Sequence, residues 1–245
     1  WRYDQTTTDP EGRAKTVIRT GEEDLPHVPI AVLGVTRLAA GASLDTPFQV
    51  PVPSLGPPSF DGTELNVTWE LRANLDVPGF DPSIVLPVRV LQPVALLRAG
   101  VIDVAQFALY DEAEVGADGL AGSLRLEPMP LCVGAPFRGI LTMTQGAPRT
   151  VQEVRLELRT TVKATVSGGR EETITLWAGR LAEAGEFGGA GRTYAFEGAL
   201  DDRQLPTIRT PHGRADAAFH VIVATAWARD PHLVRDVAIC STTDL

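Results

Sequence analysis

Four histidines, two cysteines and one Asp-Asp-Arg triplet are the residues of this chain whose types lend themselves to chemistry. His212, His220 and His232 share the C-terminal half, away from His27, and three imidazoles that meet can hold a transition metal. Their spacing argues against a meeting. His220 alternates with apolar residues in "AFHVIVATAW" and points away from them, while His212 and His232 flank opposite ends of that run. Ten extended residues span roughly 33 Å, too far for one ion to take both flanking imidazoles. Asp201 and Asp202 beside Arg203 would suit an acid–base pair only if one carboxyl were desolvated. Adjacent turn positions face water, so a solvated loop is expected there. Cys132 and Cys240 are too few for a secreted disulfide scaffold. Two buried free thiols in a reducing cytosol are favoured over one bridge between the first and last strands of the C-terminal half.

Motifs that organise catalysis are missing from the sequence. There is no G-x-S-x-G elbow, Walker loop, H-E-x-x-H or C-x-x-C. "GEFGGAG" (185–191) lies between strand patterns, whereas a dinucleotide loop opens a helix, so a mobile hairpin loop is expected. The expectation is therefore a chain that is not an enzyme, with no catalytic, cofactor or metal residues. "ARDPHLVRD" gathers Arg229, Asp230, Arg235 and Asp236, which are the candidate protein-contact residues. The plainer reading of the same stretch is a turn with surface ion pairs worth ~0–1 kcal/mol each.

The elements that must carry these residues are strands. In "LNVTWELRANL", Leu65, Val67, Trp69, Leu71, Ala73 and Leu75 fall on one face and polar residues on the other. "AFHVIVATAW", "TVQEVRLELRTTVKATV" and "EETITLWAG" alternate likewise, as strands covered on one side do. Gly, Pro and Asp clusters separate these runs at sandwich spacing. Residues 94–123 form a connector of undecided type: Leu97, Val101, Val104 and Ala108 share a helical face, "VAQFALY" also suits a strand, and "EVGADGLAGS" (114–123) reads as a loop. "NVT" at Asn66 matches a glycosylation sequon but lies inside a strand pattern and is discounted.

Composition narrows the partners. A formal net charge of −9 argues against tracking nucleic-acid phosphates, which needs clustered Lys and Arg. Lys15 and Lys163 are the only lysines, and that arginine bias, with abundant Ala, Gly and Pro, points to a GC-rich bacterial genome. In the most apolar stretch (93–110), Arg98 and Asp103 would each cost about 2.5–3.5 kcal/mol at mid-bilayer, so no transmembrane segment is expected.

The two halves also echo each other. Residues 1–21 answer 156–179, 36–52 answer 179–198, and Pro58-Ser59-Phe60 answers Pro206-Thr207-Ile208. A long strand, a proline turn (Pro78 or Pro231) and a closing strand follow in each half. The division expected is a first sandwich over 1–93, the connector over 94–123, and a second sandwich over 124–245. Residues such as 135–156 have no earlier counterpart, so the opening strands of the first sandwich are expected upstream of Trp1.

This order resembles the arrestin-like superfamily, on the strand start at Gly139-Ile140-Leu141, the aromatic run around Tyr194 and Phe196, the turn at Leu205 to Ile208, and "RDP" before a final strand. The resemblance implies an all-β fold of two tandem immunoglobulin-like antiparallel sandwiches, the first lacking its N-terminal strands. It is similar to the bacterial sporulation-control arrestin-like proteins and the arrestin-like retromer subunit, and so implies a cytoplasmic adaptor, peripheral at most to a membrane or assembly, binding protein partners. The acidic and basic set of the receptor arrestins' polar core is not found, so phosphate-triggered activation is not carried over. "PPSF" (57–60) has Phe60 where the ligase-recruiting PPxY motif has Tyr, and a structural turn is expected. The alternatives are a structural subunit of a larger bacterial assembly or oligomer, and a carbohydrate-binding module, which the scarcity of outward aromatics disfavours.

Overall fold

Alternating sequence becomes alternating burial wherever a second layer exists to receive the apolar side. The computed structural model describes residues 1–8, 13–24, 29–37, 39, 41, 43, 45–52, 56–79, 81–98, 109–203, 205–226 and 230–242. In chain order the elements are β1 (Arg2–Thr8), β2 (Ala14–Thr20), β3 (Phe60–Asp61), β4 (Asn66–Val67), β5 (Trp69–Asn74), β6 (Ser83–Val88) and the short helix α1 (Val94–Arg98). Then come β7 (Glu112–Ala117), β8 (Leu120–Glu127), β9 (Leu131–Cys132), β10 (Pro136–Gln145), β11 (Arg149–Val151), β12 (Glu153–Ala164) and β13 (Glu171–Ala182). The last are β14 (Gly185–Phe187), β15 (Thr193–Ala199), β16 (Ile208–Thr210), β17 (Gly213–Ala224), β18 (His232–Val237) and β19 (Ile239–Cys240). The fold is all-β, and its ladders are antiparallel except for the two-residue pair of β9 and β19.

From Glu112 onward the strands build a two-layer sandwich. One sheet has the order β15-β10-β8-β7; the other runs β13-β12-β17, with β16 and β18 both pairing β17. Every second residue of β12 is buried, from Val154 through Leu156, Leu158, Thr160 and Val162 to Ala164. Phe219 of β17 meets Phe137 of β10 edge-on at 5.5 Å, and Trp177 and Phe196 complete the aromatic cluster. Glycines make room for these rings. A Cβ on Gly139 would stand 2.3 Å from Phe196, its cross-strand partner, and one on Gly198 would meet Trp177 at 2.5 Å.

The stretch 114–123, expected as a loop, is instead the β7–β8 hairpin, turning at Asp118-Gly119 with φ of 49° and 77°. Asp-Gly supplies the left-handed pair that a two-residue hairpin turn requires. The small residues around it hid the alternation. The connector contains α1; its stretch 99–108, with Val101, Val104 and Ala108, lies outside the described residues.

The cysteine expectation is corrected. Cys132 and Cys240 are joined by a disulfide, with Cα atoms 4.8 Å apart and both residues buried. The reason is the parallel pairing of β9 with β19, which sets Cys240 directly beside Cys132. Val94 and Leu109 of the connector pack against the bridge, and Ser241 donates its backbone N–H to the Gln92 carbonyl at 2.9 Å.

The first 93 residues contribute three two-stranded sheets, β1–β2, β3–β4 and β5–β6. Among the described residues of this part, Phe60 and Leu65 are buried hydrophobic residues that join the core of the sandwich. The long edge strand β13 is guarded. Register shifts interrupt its pairing with β12 at two places, and Arg203 donates to the Thr175 carbonyl at 3.3 Å. Bulges and edge charges of this kind discourage a further strand.

Candidate functional site

Of the four candidate protein-contact residues, Asp230, Arg235 and Asp236 lie among the described residues. Arg229 lies outside the described residues, as do His27 and Trp227. Asp230 accepts the Thr225 backbone N–H at 3.0 Å, closing the turn into β18. Arg235 points inward and is only 3% exposed. Its guanidinium donates to the carbonyls of Asp111 (3.0 Å), Leu124 and Tyr110, which ties β18 to β8 and to the end of the connector. Burial lowers its pKa to about 10, against the smaller opposing pull of Asp111 and Glu112. Asp236 faces outward; partial burial, and then the charge of Asp216, hold its carboxyl above the usual range. The parity of the strand carried a signal for Arg235, because it shares a face with Leu233 and Val237.

Asp201, as expected of a solvated loop, is exposed and takes a 2.6 Å ion pair from Arg203. Phe60 is buried at the start of β3 and the Pro57 carbonyl accepts the Trp69 indole N–H at 2.9 Å, so "PPSF" is packed into the fold. Asn66 is exposed and donates to Asp61 at 3.2 Å.

The outer face of β12 and β17 is laced with charge. Glu157 receives Arg155 at 2.9 Å and Arg159 at 2.8 Å. Burial pushes its carboxyl up, but Arg159 and Arg155 together outweigh that and leave its pKa lowered. His220 sits across from Glu157, with His232 edge-on at 6.4 Å. Desolvation, then Arg159 and His232, lower the His220 pKa, with Glu157 opposing. No group of three metal-ligating side chains forms among the described residues.

The N-terminal hairpin is seated on the β12–β13 and β16–β17 turns. Arg170 bonds Asp4 at 3.0 Å and Glu64 at 3.2 Å; Tyr3 bridges Gly169. Both carboxylates raise the Arg170 pKa, Asp4 first. Trp1 stacks on His212 at 3.8 Å, and His212 also meets Glu23. A concavity of about 330 Å³ opens beside Trp1, Arg2 and Glu64. Its flanking carboxylate is already taken by Arg170.

A departure from ordinary burial lies on β5–β6. Register sets Trp69 opposite Val88, Leu71 opposite Leu86 and Ala73 opposite Ile84. One face of the hairpin is therefore wholly apolar, and its far end is uncovered: Ile84 is 62% exposed, Leu86 52% and Leu75 45%. The sequence marks this face as a core face. It gives no sign that the cover stops partway, because alternation states which side wants burial and not whether burial is supplied.

No family model and no curated protein matches this chain. Among solved structures it is similar to the sporulation control protein Spo0M from Bacillus subtilis, at 12% sequence identity and a TM-score of 0.42. That likeness covers 51% of this chain and 51% of that one, so the chain spans about half the length of the structure it matches.

Proposed function

We propose that the chain is a non-catalytic adaptor that binds a protein partner through surfaces of its β-sheet framework. The observation that supports this reading is the apolar face of β5–β6, exposed through Ile84, Leu86 and Leu75. Contiguous apolar surface left in water is costly, and where it persists in a folded protein it marks an interaction site. β-Addition supplies affinity through main-chain groups, which fits a sequence without a docking motif. No helix among the described residues is long and apolar enough to cross a membrane.

The test is paired affinity capture from bacterial lysate with the wild-type chain and with Leu86→Asp, followed by mass spectrometry. A protein retained by the wild type and lost with the variant supports the adaptor; identical retention by both removes the basis for it. Light scattering on the same preparations separates the structural-subunit alternative, which requires a large particle.

A further inference from the structure

We propose that the Cys132–Cys240 disulfide is a redox latch on the connector: when a dithiol cuts it by exchange, residues 92–98 part from β19 while the sandwich stays folded. This goes beyond the adaptor reading and does not depend on it.

The bridge sits where three segments meet. β19 lies between β9 on one side and the first residues of the connector on the other. Cys240 faces Cys132 across the first contact. Across the second, Ser241 donates its N–H to the Gln92 carbonyl at 2.9 Å and Thr242 bridges Pro93. Val94 and Leu109 of the connector pack against the two cysteines, which form a small cluster of their own outside the interlayer core. Cutting the bridge therefore acts at this junction and leaves the stacked side chains of the two sheets in place.

The junction holds polar groups that favour its opening. Gln92 is 2% exposed and Ser241 5%, yet Gln92 Oε1, Gln92 Nε2 and Ser241 Oγ have no hydrogen-bond partner. Buried polar atoms left unpaired oppose closure, because water satisfies them once the segments part. The covalent tie offsets that opposition. Without it the balance at this one contact shifts toward opening.

The reduced state is accommodated as well. Cys240 Sγ lies 3.2 Å from the Leu131 carbonyl and Cys132 Sγ 4.0 Å from the Pro130 carbonyl, so each thiol has an acceptor. Leu131 donates its N–H to Ala238 and Val133 to Cys240, both at 3.0 Å, and Ile239 exchanges two further bonds with Thr207. β19 therefore keeps its place in the sandwich when the sulfurs separate.

Cys132 borders the exposed Gly134 and is the sulfur a dithiol reaches. One thiolate attacks Cys132 Sγ, the S–S bond breaks, and its electron pair goes to Cys240 Sγ, which takes up a proton. The second thiolate then attacks the dithiol's own sulfur in the mixed disulfide and expels Cys132, which is protonated in turn. The dithiol leaves as a disulfide, oxidised by the two electrons that the bridge has gained.

The test is amide hydrogen exchange of the whole chain, resolved to single residues, before dithiothreitol, after it, and after reoxidation with oxidised glutathione. Reduction is expected to speed exchange of the Ser241 amide about tenfold or more, with amides of β12 and β17 changing less than about twofold. Reoxidation should restore the first state, and Cys132→Ala with Cys240→Ala should match the reduced chain. Gln92→Leu, which removes the unpaired amide, should keep Ser241 protected after reduction. An unchanged Ser241 amide in the reduced chain overturns the proposal. So does a loss shared equally by β12 and β17, including collapse of the double variant, which would make the bridge a staple of the whole sandwich. A bridge that resists dithiothreitol until denaturant is added, or equal opening with and without Gln92→Leu, overturns it too.

Discussion

Arg235 stands where alternation calls for an apolar side chain, and it is held there by three carbonyls from the connector and β8. Removing it would take this donor from the buried Leu124 carbonyl and from two half-buried ones. Arg235→Met is therefore expected to cost on the order of 2–4 kcal/mol. The denaturant midpoint measures this, and Arg235→Lys should recover part of it. His220 makes a pH prediction. Its folded pKa lies below the ordinary histidine value because of desolvation and the neighbouring Arg159 and His232. Below about pH 6.5 the unfolded chain then binds more protons than the folded one, so stability falls as pH drops through that window. His220→Gln should flatten this acid limb of the melting temperature between pH 7.5 and 5; an unchanged slope would assign the loss to other groups. The inward parity of Arg235 was legible in "LVRDV", whereas the three carbonyls that receive it come from far away in sequence.

Strands were the most legible level, because a period of two needs only neighbouring residues. β12, β13 and β17 fall where their alternation puts them. β7–β8 escaped because its turn is flanked by Ala and Gly, which carry little pattern. The glycines beneath the aromatic cluster bring another expected outcome. Gly139→Val would drive a branched side chain into the Phe196 ring, and overpacking of that kind costs about 1–3 kcal/mol. Thermal melts of Gly139→Val alone and with Phe196→Ala should show partial relief in the pair; strictly additive losses would mean that the ring does not rest on the glycine. The β5–β6 face was legible as a core side and illegible as an open one, since cover comes from other elements.

At the scale of the molecule, long-range proximity was the least legible feature. Nothing local in "MPLCVG" or "VAICST" announces that the two cysteines are side by side; only the parallel pairing of β9 with β19 does. The bridge closes a sequence separation of 108, and in the chain-entropy model such a bridge stabilises by about 4–5 kcal/mol. Unfolding with and without a reductant, with free thiols counted under denaturing conditions, should show that difference and no reactive thiol before reduction. An equal midpoint in both would mean that the bridge does not form in solution.

The same covalent link also sets how the chain would bear tension. Pulled from its two ends, the polypeptide routes load from Cys132 straight to Cys240, and the strands between them are shielded. In a force-extension experiment the segment between them, a sequence separation of 108, should contribute no contour length until the bridge is reduced, whereupon roughly 350–390 Å of additional extension appears. The sandwich is in this sense a mechanical bypass, stiff under traction even while the hairpins at its N-terminal side peel away.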